Sequence, residues 1–164
     1  PSMEGIEAIK TLSKSRIPVN CTLRFTPEQA LLAAKAGAKF VSPFAGRIDD
    51  HIRNSNNIKF DKKDYFPAYG WDEDGVFLED DGIISGIDLV KQCVDIIKRY
   101  KLKTEVLAAS LRNPRQVREA ALVGADIATI PFNVIKELLI HPKTSEGMKK
   151  FTAEKIPEYV KLAK

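Results

Sequence analysis

Two cysteines, two histidines and one tryptophan in 164 residues leave little room for the chemistries that those residues support. Cys21 and Cys93 lie far apart with no CxxC spacing, which argues against a disulfide framework or a redox pair; incidental reduced thiols in a cytoplasmic protein are expected. His51 and His141 stand at no spacing that suggests a metal triad, so no metal is expected, and loop or helix-end roles suit both. No apolar run approaches the roughly 20 residues of a membrane span, and no basic stretch followed by an apolar one opens the chain, so neither a membrane segment nor a leader is expected. GxGxxG and GxxxxGK[ST] loops are both missing, which removes dinucleotide and P-loop readings. The acidic run "DEDGVFLEDDG" lacks the glycine spacing of a calcium loop; its two Asp-Gly pairs predict turns flanking a short strand on a solvated face.

What is present is an ordinary globular composition, 44% hydrophobic and 29% charged, at a length that suggests one domain over residues 1–164. The net charge of +4 hides an asymmetry: three lysines against eight acids leave Asn54 to Gly82 at −5 and the rest of the chain at +9. The lysines are dispersed over helices without interleaved aromatics, so no nucleic-acid partner is expected. A phosphorylated metabolite accounts for a basic cleft equally well.

Helix and strand signals alternate. Ile6, Ile9 and Leu12 give helical spacing over Met3 to Ser13, and "IPVNCTLRF" reads as a strand. In "TPEQALLAAKAG" Thr26 is an N-cap, Pro27 the first helical residue, Gln29 the capping-box partner and Gly37 the stop. "AKFVSPF" is a strand, followed by an acidic insertion spanning 54–83 and a helix that ends near Tyr100. "KTEVLAAS" is a strand, "NPRQVREAALVG" a helix capped by Asn113, and "ADIATIPF" a strand. "NVIKELLI" is a helix stopped by Pro142, and a last helix runs from about Ser145 to Tyr159. Four strand–helix units between a leading and a terminal helix predict an α/β parallel sheet.

The chain also repeats itself. "AAKAGAKFVSPF" (Ala33 to Phe44) and "AALVGADIATIPF" (Ala120 to Phe132) share a helix end, a Gly-Ala turn, a buried strand and a terminal Pro-Phe. Equivalent spokes of a (β/α)8 TIM barrel behave this way, and four strands make about half of one.

In parallel α/β folds the chemistry gathers at the C-terminal strand ends. The first strand presents Asn20 and Thr22 there, the second Ser42 with Arg47 beyond it, the third Ser110 and Arg112, and the fourth Thr129 and Asn133. Singly, each has a bland reading: packing, a turn, or a local ion pair such as Arg47 with Asp49 or Asp50, or Arg112 with Glu119. Together, hydroxyls, an amide and two guanidiniums on neighbouring strand ends suit a sugar phosphate, with N–H donors added by the helix after Asn113.

Read together, Asn20-x-Thr22, "SPFAGRIDD" and "AASLRNP" resemble the transaldolase family, which includes the fructose 6-phosphate aldolases. The resemblance extends over nearly the whole chain and implies strands five to eight of a class I aldolase barrel. It implies that Asn20 holds a hydroxyl of a bound dihydroxyacetone unit, that Thr22 helps hold the catalytic water, and that Ser42 lines the sugar hydroxyls. Arg47, Ser110 and Arg112 match the phosphate-binding set, and Phe44 stands where transaldolases carry Phe and the aldolase branch typically Tyr. No cofactor is required.

The family's Schiff-base lysine stands two residues before a Pro that Pro1 matches, so the resemblance implies a nucleophile outside this chain, with the general-base Asp and the assisting Glu. Lys39 and Lys103 lie at the wrong strand ends to replace it. The expectation is transfer of a dihydroxyacetone unit from a ketose phosphate to an aldose phosphate by a complete barrel. That barrel would include an N-terminal half as partner and belong to an expected homo-oligomer in the pentose phosphate pathway, this segment alone being inactive. Fructose 6-phosphate aldolase and a non-catalytic phosphate-binding half-barrel are the alternatives.

Overall fold

The computed structural model describes residues 2–73 and 75–153. Its elements are α1 (Met3–Lys14), β1 (Asn20–Arg24), α2 (Pro27–Ala36), β2 (Phe40–Pro43), α3 (Ala45–Ser55), β3 (Trp71–Glu73), β4 (Val76–Leu78), α4 (Gly86–Arg99), β5 (Glu105–Ala108), α5 (Pro114–Leu122), β6 (Ile127–Ala128), α6 (Phe132–Leu138) and α7 (Pro142–Ala153). β1, β2, β5 and β6 form a parallel sheet in that order, while β3 and β4 pair separately as an antiparallel hairpin.

The sequence caps work as written. Thr26 and Asn113 accept from the backbone N–H groups of Gln29 and Gln116, with Pro27 and Pro114 opening the two helices. The repeat is real in three dimensions. Gly37 and Gly124 both take left-handed φ, and Ala38 N–H donates to Ala33 as Ala125 N–H does to Ala120, the same helix-ending turn twice.

One face of the sheet is covered. α2 packs on β1 and β2, and α4 on β2 and β5, so Val41, Val106 and Ala108 are buried against Ala30, Ala33, Leu89, Val90 and Val94. Alternate residues point the other way. There Ser42 is buried, Glu105 and Leu107 are half-buried, and Asn20 and Ile127 are exposed.

One helix was not expected and two expectations need correcting. The stretch after Pro43 forms the helix α3, which buries Ile48, Asp49, Ile52 and Arg53. Its start carries no side-chain cap and its inner face mixes charge with Ile, so apolar periodicity hides it. In the insertion Val76–Leu78 is a strand, but it pairs with a second one at Trp71–Glu73, and the fully buried Phe66 and Ile83 tie the segment to the core. Finally, α6 ends at Leu138, and Pro142 opens α7 rather than closing α6, as its missing N–H allows at a first helical position. The expected helix beyond Ala153 lies outside the described residues.

Candidate functional site: the C-terminal strand ends

The C-terminal ends of β1, β2 and β5 meet in a continuous rim. Asn20 is not at one of them: it opens β1, level with Phe40, and reaches Ser42 only through its side chain. At β1–β2 the Ser42 hydroxyl, 1% exposed, donates to the Asn20 side-chain oxygen at 2.8 Å. Beyond Asn20 the register slips: Cys21 faces Val41 and Arg24 faces Pro43, so Thr22 and Leu23 together oppose Ser42 in a bulge, with Leu23 at φ 59. Thr22 is exposed there, and its carbonyl accepts from Arg24 Nε and Nη2 at 2.8 and 2.6 Å.

β2 passes directly into α3. The Ala45 and Gly46 N–H groups donate to the carbonyls of Ala109 and Ser110 at 3.0 and 3.2 Å, which locks the start of α3 onto the end of β5. Only glycine fits at 46: a Cβ there would lie 2.4 Å from the Ser110 carbonyl oxygen and 2.7 Å from Arg112 Nε. Ser110 holds φ 62, a strained value for a residue with a side chain. Phe44, half-buried, tilts against Phe25 at 6.1 Å between ring centroids. The exposed Arg47 guanidinium lies 6.0 Å from the Phe44 ring and faces a cavity of about 340 Å³ shared with Phe25, Ile48, His51 and Asp80.

The two arginines have different surroundings. The Arg112 guanidinium is gripped by both oxygens of Asp50, and its Nη1 also reaches the Lys62 carbonyl at 3.3 Å, which brings the insertion beside the rim. Neither local pairing weighed from sequence occurs: Arg112 pairs with Asp50, whereas Glu119 accepts from Arg115 and from the Tyr65 hydroxyl. Arg47 makes no ion pair among the described residues. At α5 the donors are partly used, since Gln116 N–H is taken by Asn113 and Arg112 N–H by the Gln116 side chain at 2.8 Å.

Beneath the rim lies a carboxylate to which the sequence offers only a local ion pair with Arg47. Asp49, 2% exposed, accepts from Gly86 N–H at 2.7 Å and from Gln116 Nε2 at 2.8 Å. Burial pushes its carboxyl up to about 7, against the opposing pull of the Gly86 N–H and of the Arg53 and Arg112 charges. Gln116 had a readable signal, standing three residues after the Asn113 cap where a capping-box partner belongs.

Thr129 and Asn133 are exposed and make no hydrogen bond with the groups above. A larger cavity, about 510 Å³, lies at the opposite end of the sheet beside Arg16, Lys39 and Lys103. Cations there complement the C-terminal ends of α1 and α2, so the chemistry is better sought at the rim. Among the described residues, no three His, Cys, Asp or Glu side chains gather to hold a metal ion, and no helix is long and apolar enough to cross a membrane.

The family model described as Transaldolase/Fructose-6-phosphate aldolase matches residues 2–163. A protein of Chlorobaculum parvum named "Probable transaldolase" is 47% identical over 150 residues, covering 92% of this chain and 54% of that protein. A "Probable transaldolase" of Thermoplasma acidophilum is 45% identical over 148 residues, covering 90% and 52%. One of Chlorobium chlorochromatii is 44% identical over 153 residues, covering 93% and 55%. The chain thus spans about half the length of the curated relatives it matches. Solved mandelate oxidase chains align with 79% of this chain at a TM-score of 0.46 and 18% identity, a likeness that carries no argument. With rim, sheet and matches in hand, one membership follows: this chain belongs to the transaldolase/fructose-6-phosphate aldolase family.

Proposed function

We propose that this chain forms strands five to eight of a (β/α)8 barrel and supplies the sugar-phosphate end of a transaldolase site. The strand order supports the barrel: β1, β2, β5 and β6 follow one another without reversal. Right-handed crossovers taken repeatedly in one direction place every helix on one face and create no switch point. The opposite face, with Ser42, Leu107 and Ile127, then becomes the barrel interior, and β1 and β6 are the edges that the complementary half would pair.

In this reading Asn20 and Ser42 hold the hydroxyls of the dihydroxyacetone unit, and Thr22, released from ladder pairing by the bulge, helps hold a water. Arg47 makes the first phosphate contact. Ser110 and Arg112 complete the grip, with Asp50 holding the Arg112 fork in place until the phosphate shares it. Such remote binding orients the reacting carbons. The lysine that forms the Schiff base belongs to the complementary half. Lys39 cannot replace it, since it precedes β2 and pairs with Glu105 at the far end of the sheet.

The observation that carries the proposal is the meeting of Ser42, Arg47, Ser110 and Arg112 where β2 and β5 end, with Asn20 joined to them through its hydrogen bond from Ser42. Phe44 in place of Tyr favours transfer over free aldol cleavage, so turnover of fructose 6-phosphate should require an aldose phosphate acceptor. Borohydride reduction with fructose 6-phosphate, followed by intact-mass analysis, tests the split. An adduct is expected on a lysine of the complementary half and none on residues 1–164; an adduct on any lysine of this chain would overturn it.

A further inference from the structure

We propose that Asp49 and Gln116 form a positioning relay that fixes where Arg112 stands at the mouth of α5. Its consequence for ligand binding rests on the phosphate reading above; the relay itself does not. Asp49 sits where α3 crosses the first turns of α4 and α5. One oxygen accepts from Gly86 N–H and the other from Gln116 Nε2, while the Gln116 carbonyl oxygen accepts from the Arg112 backbone N–H. Gln116 is itself 2% exposed, so no water replaces either bond. Only this amide orientation satisfies both neighbours, because the reverse sets oxygen against carboxylate and NH2 against N–H.

The arrangement needs an acceptor at Asp49. A proton on the oxygen facing Gln116 turns that oxygen into a donor, and Nε2 then faces a donor too. Rotation of the amide restores that contact but turns NH2 toward Arg112 N–H, whose bond is lost. The charged groups around Asp49 are Arg53 and Asp50 of α3 and Arg112 ahead of α5, with the Gly86 N–H of α4 as dipole. The two arginines and that N–H favour the ion, burial and Asp50 oppose it, and the carboxyl titrates at about 7. Arg112 is therefore held on the alkaline side of neutrality and released on the acid side.

Resonances of the ligand-free chain followed from pH 5 to 9 test this. The Arg112 amide and the Gln116 side-chain NH2 are expected to move with the midpoint of the Asp49 carboxyl carbon. In Gln116→Met the Asp49 carboxyl should still titrate while the Arg112 amide no longer follows. An Arg112 amide indifferent to Asp49 in the wild type, or one that still follows it in Gln116→Met through the electric field alone, would overturn the relay. Should that variant not fold, the wild-type Gln116 NH2 decides: no titration there ends the proposal. Sulfate, whose charge is constant over this range, separates the two readings. Several-fold weaker sulfate binding is expected for Gln116→Met, and a titrating relay with no sulfate binding in either protein would sink the phosphate reading alone.

Discussion

Replacing Gly86 by alanine attacks the joint on which the rim is built. Gly86 opens α4 against the start of α3, and a Cβ there would stand 2.0 Å from the Ala45 carbonyl oxygen and 2.5 Å from Ala45 Cα. Both are backbone atoms, so no side chain can swing aside, and the two helices must part by about 1 Å to restore ordinary contact. That displacement stretches the Gly86–Asp49 hydrogen bond, now 2.7 Å, beyond useful range. Overpacking contributes roughly 1–3 kcal/mol and the bond to a buried charge roughly 1.5–3 kcal/mol, so Gly86→Ala should cost about 2.5–6 kcal/mol. Urea unfolding at pH 8, where Asp49 is ionised, measures it as a lower midpoint at unchanged slope. Gly147→Ala is the control: nothing lies within 4 Å of a Cβ there, inside α7, and a gain of about 0.5–1 kcal/mol is expected. A Gly86→Ala protein within about 1 kcal/mol of wild type would refute the packing argument.

Asp49 should also make stability depend on pH. Its carboxyl titrates at about 7 in the folded protein against an ordinary 3.8, so between those values the folded state holds a proton that the unfolded chain has released. Its contribution is then fullest below 3.8 and is lost, by roughly 4 kcal/mol in all, as pH rises from there to just above 7, a loss absent from Asp49→Asn. Unfolding both proteins at pH 5 and pH 8 checks this; a pH-independent difference between them would contradict it. Cys93 is fully buried and its thiol is pushed up to about 12, so a thiol reagent should modify half-buried Cys21 first and Cys93 only at the unfolding rate. Equal rates in the folded protein would show that α4 opens locally. Arg47→Ala should weaken sugar-phosphate binding at least tenfold while changing stability by less than about 0.5 kcal/mol. Arg112→Ala should do both, at a stability cost of about 1–3 kcal/mol, since it strips Asp50 of its partner.

The spokes of the fold were legible because their punctuation is local. Thr26-Pro27 and Asn113-Pro114 start helices with their own side chains, and Gly37 and Gly124 end them through φ values that glycine adopts freely. α3 was not legible, because Phe44 caps it without a side-chain bond and Asp49 and Arg53 occupy its buried face. The bulge at Thr22–Leu23 had no herald either, as nothing in a leucine announces a φ of 59. At the site, Ser42, Ser110 and Arg112 could be placed because strand ends follow from strand boundaries, whereas Asn20 could not, since β1 starts at Asn20 rather than ahead of it. The partner of Arg112 could not, because Asp50 lies 62 residues away while Arg47 stands three residues before it. Sequence spacing favours the local pair, and tertiary packing chose the distant one.

The rim is tested most directly by adding fructose 6-phosphate to the labelled chain and mapping which backbone amides move. The account predicts shifts at Ser42, Gly46, Arg47, Ser110 and Arg112, with the Arg112–Asp50 pair rearranging as the phosphate enters. Shifts confined to the Arg16, Lys39 and Lys103 end of the sheet, with Ser110 and Arg112 unmoved, would contradict it.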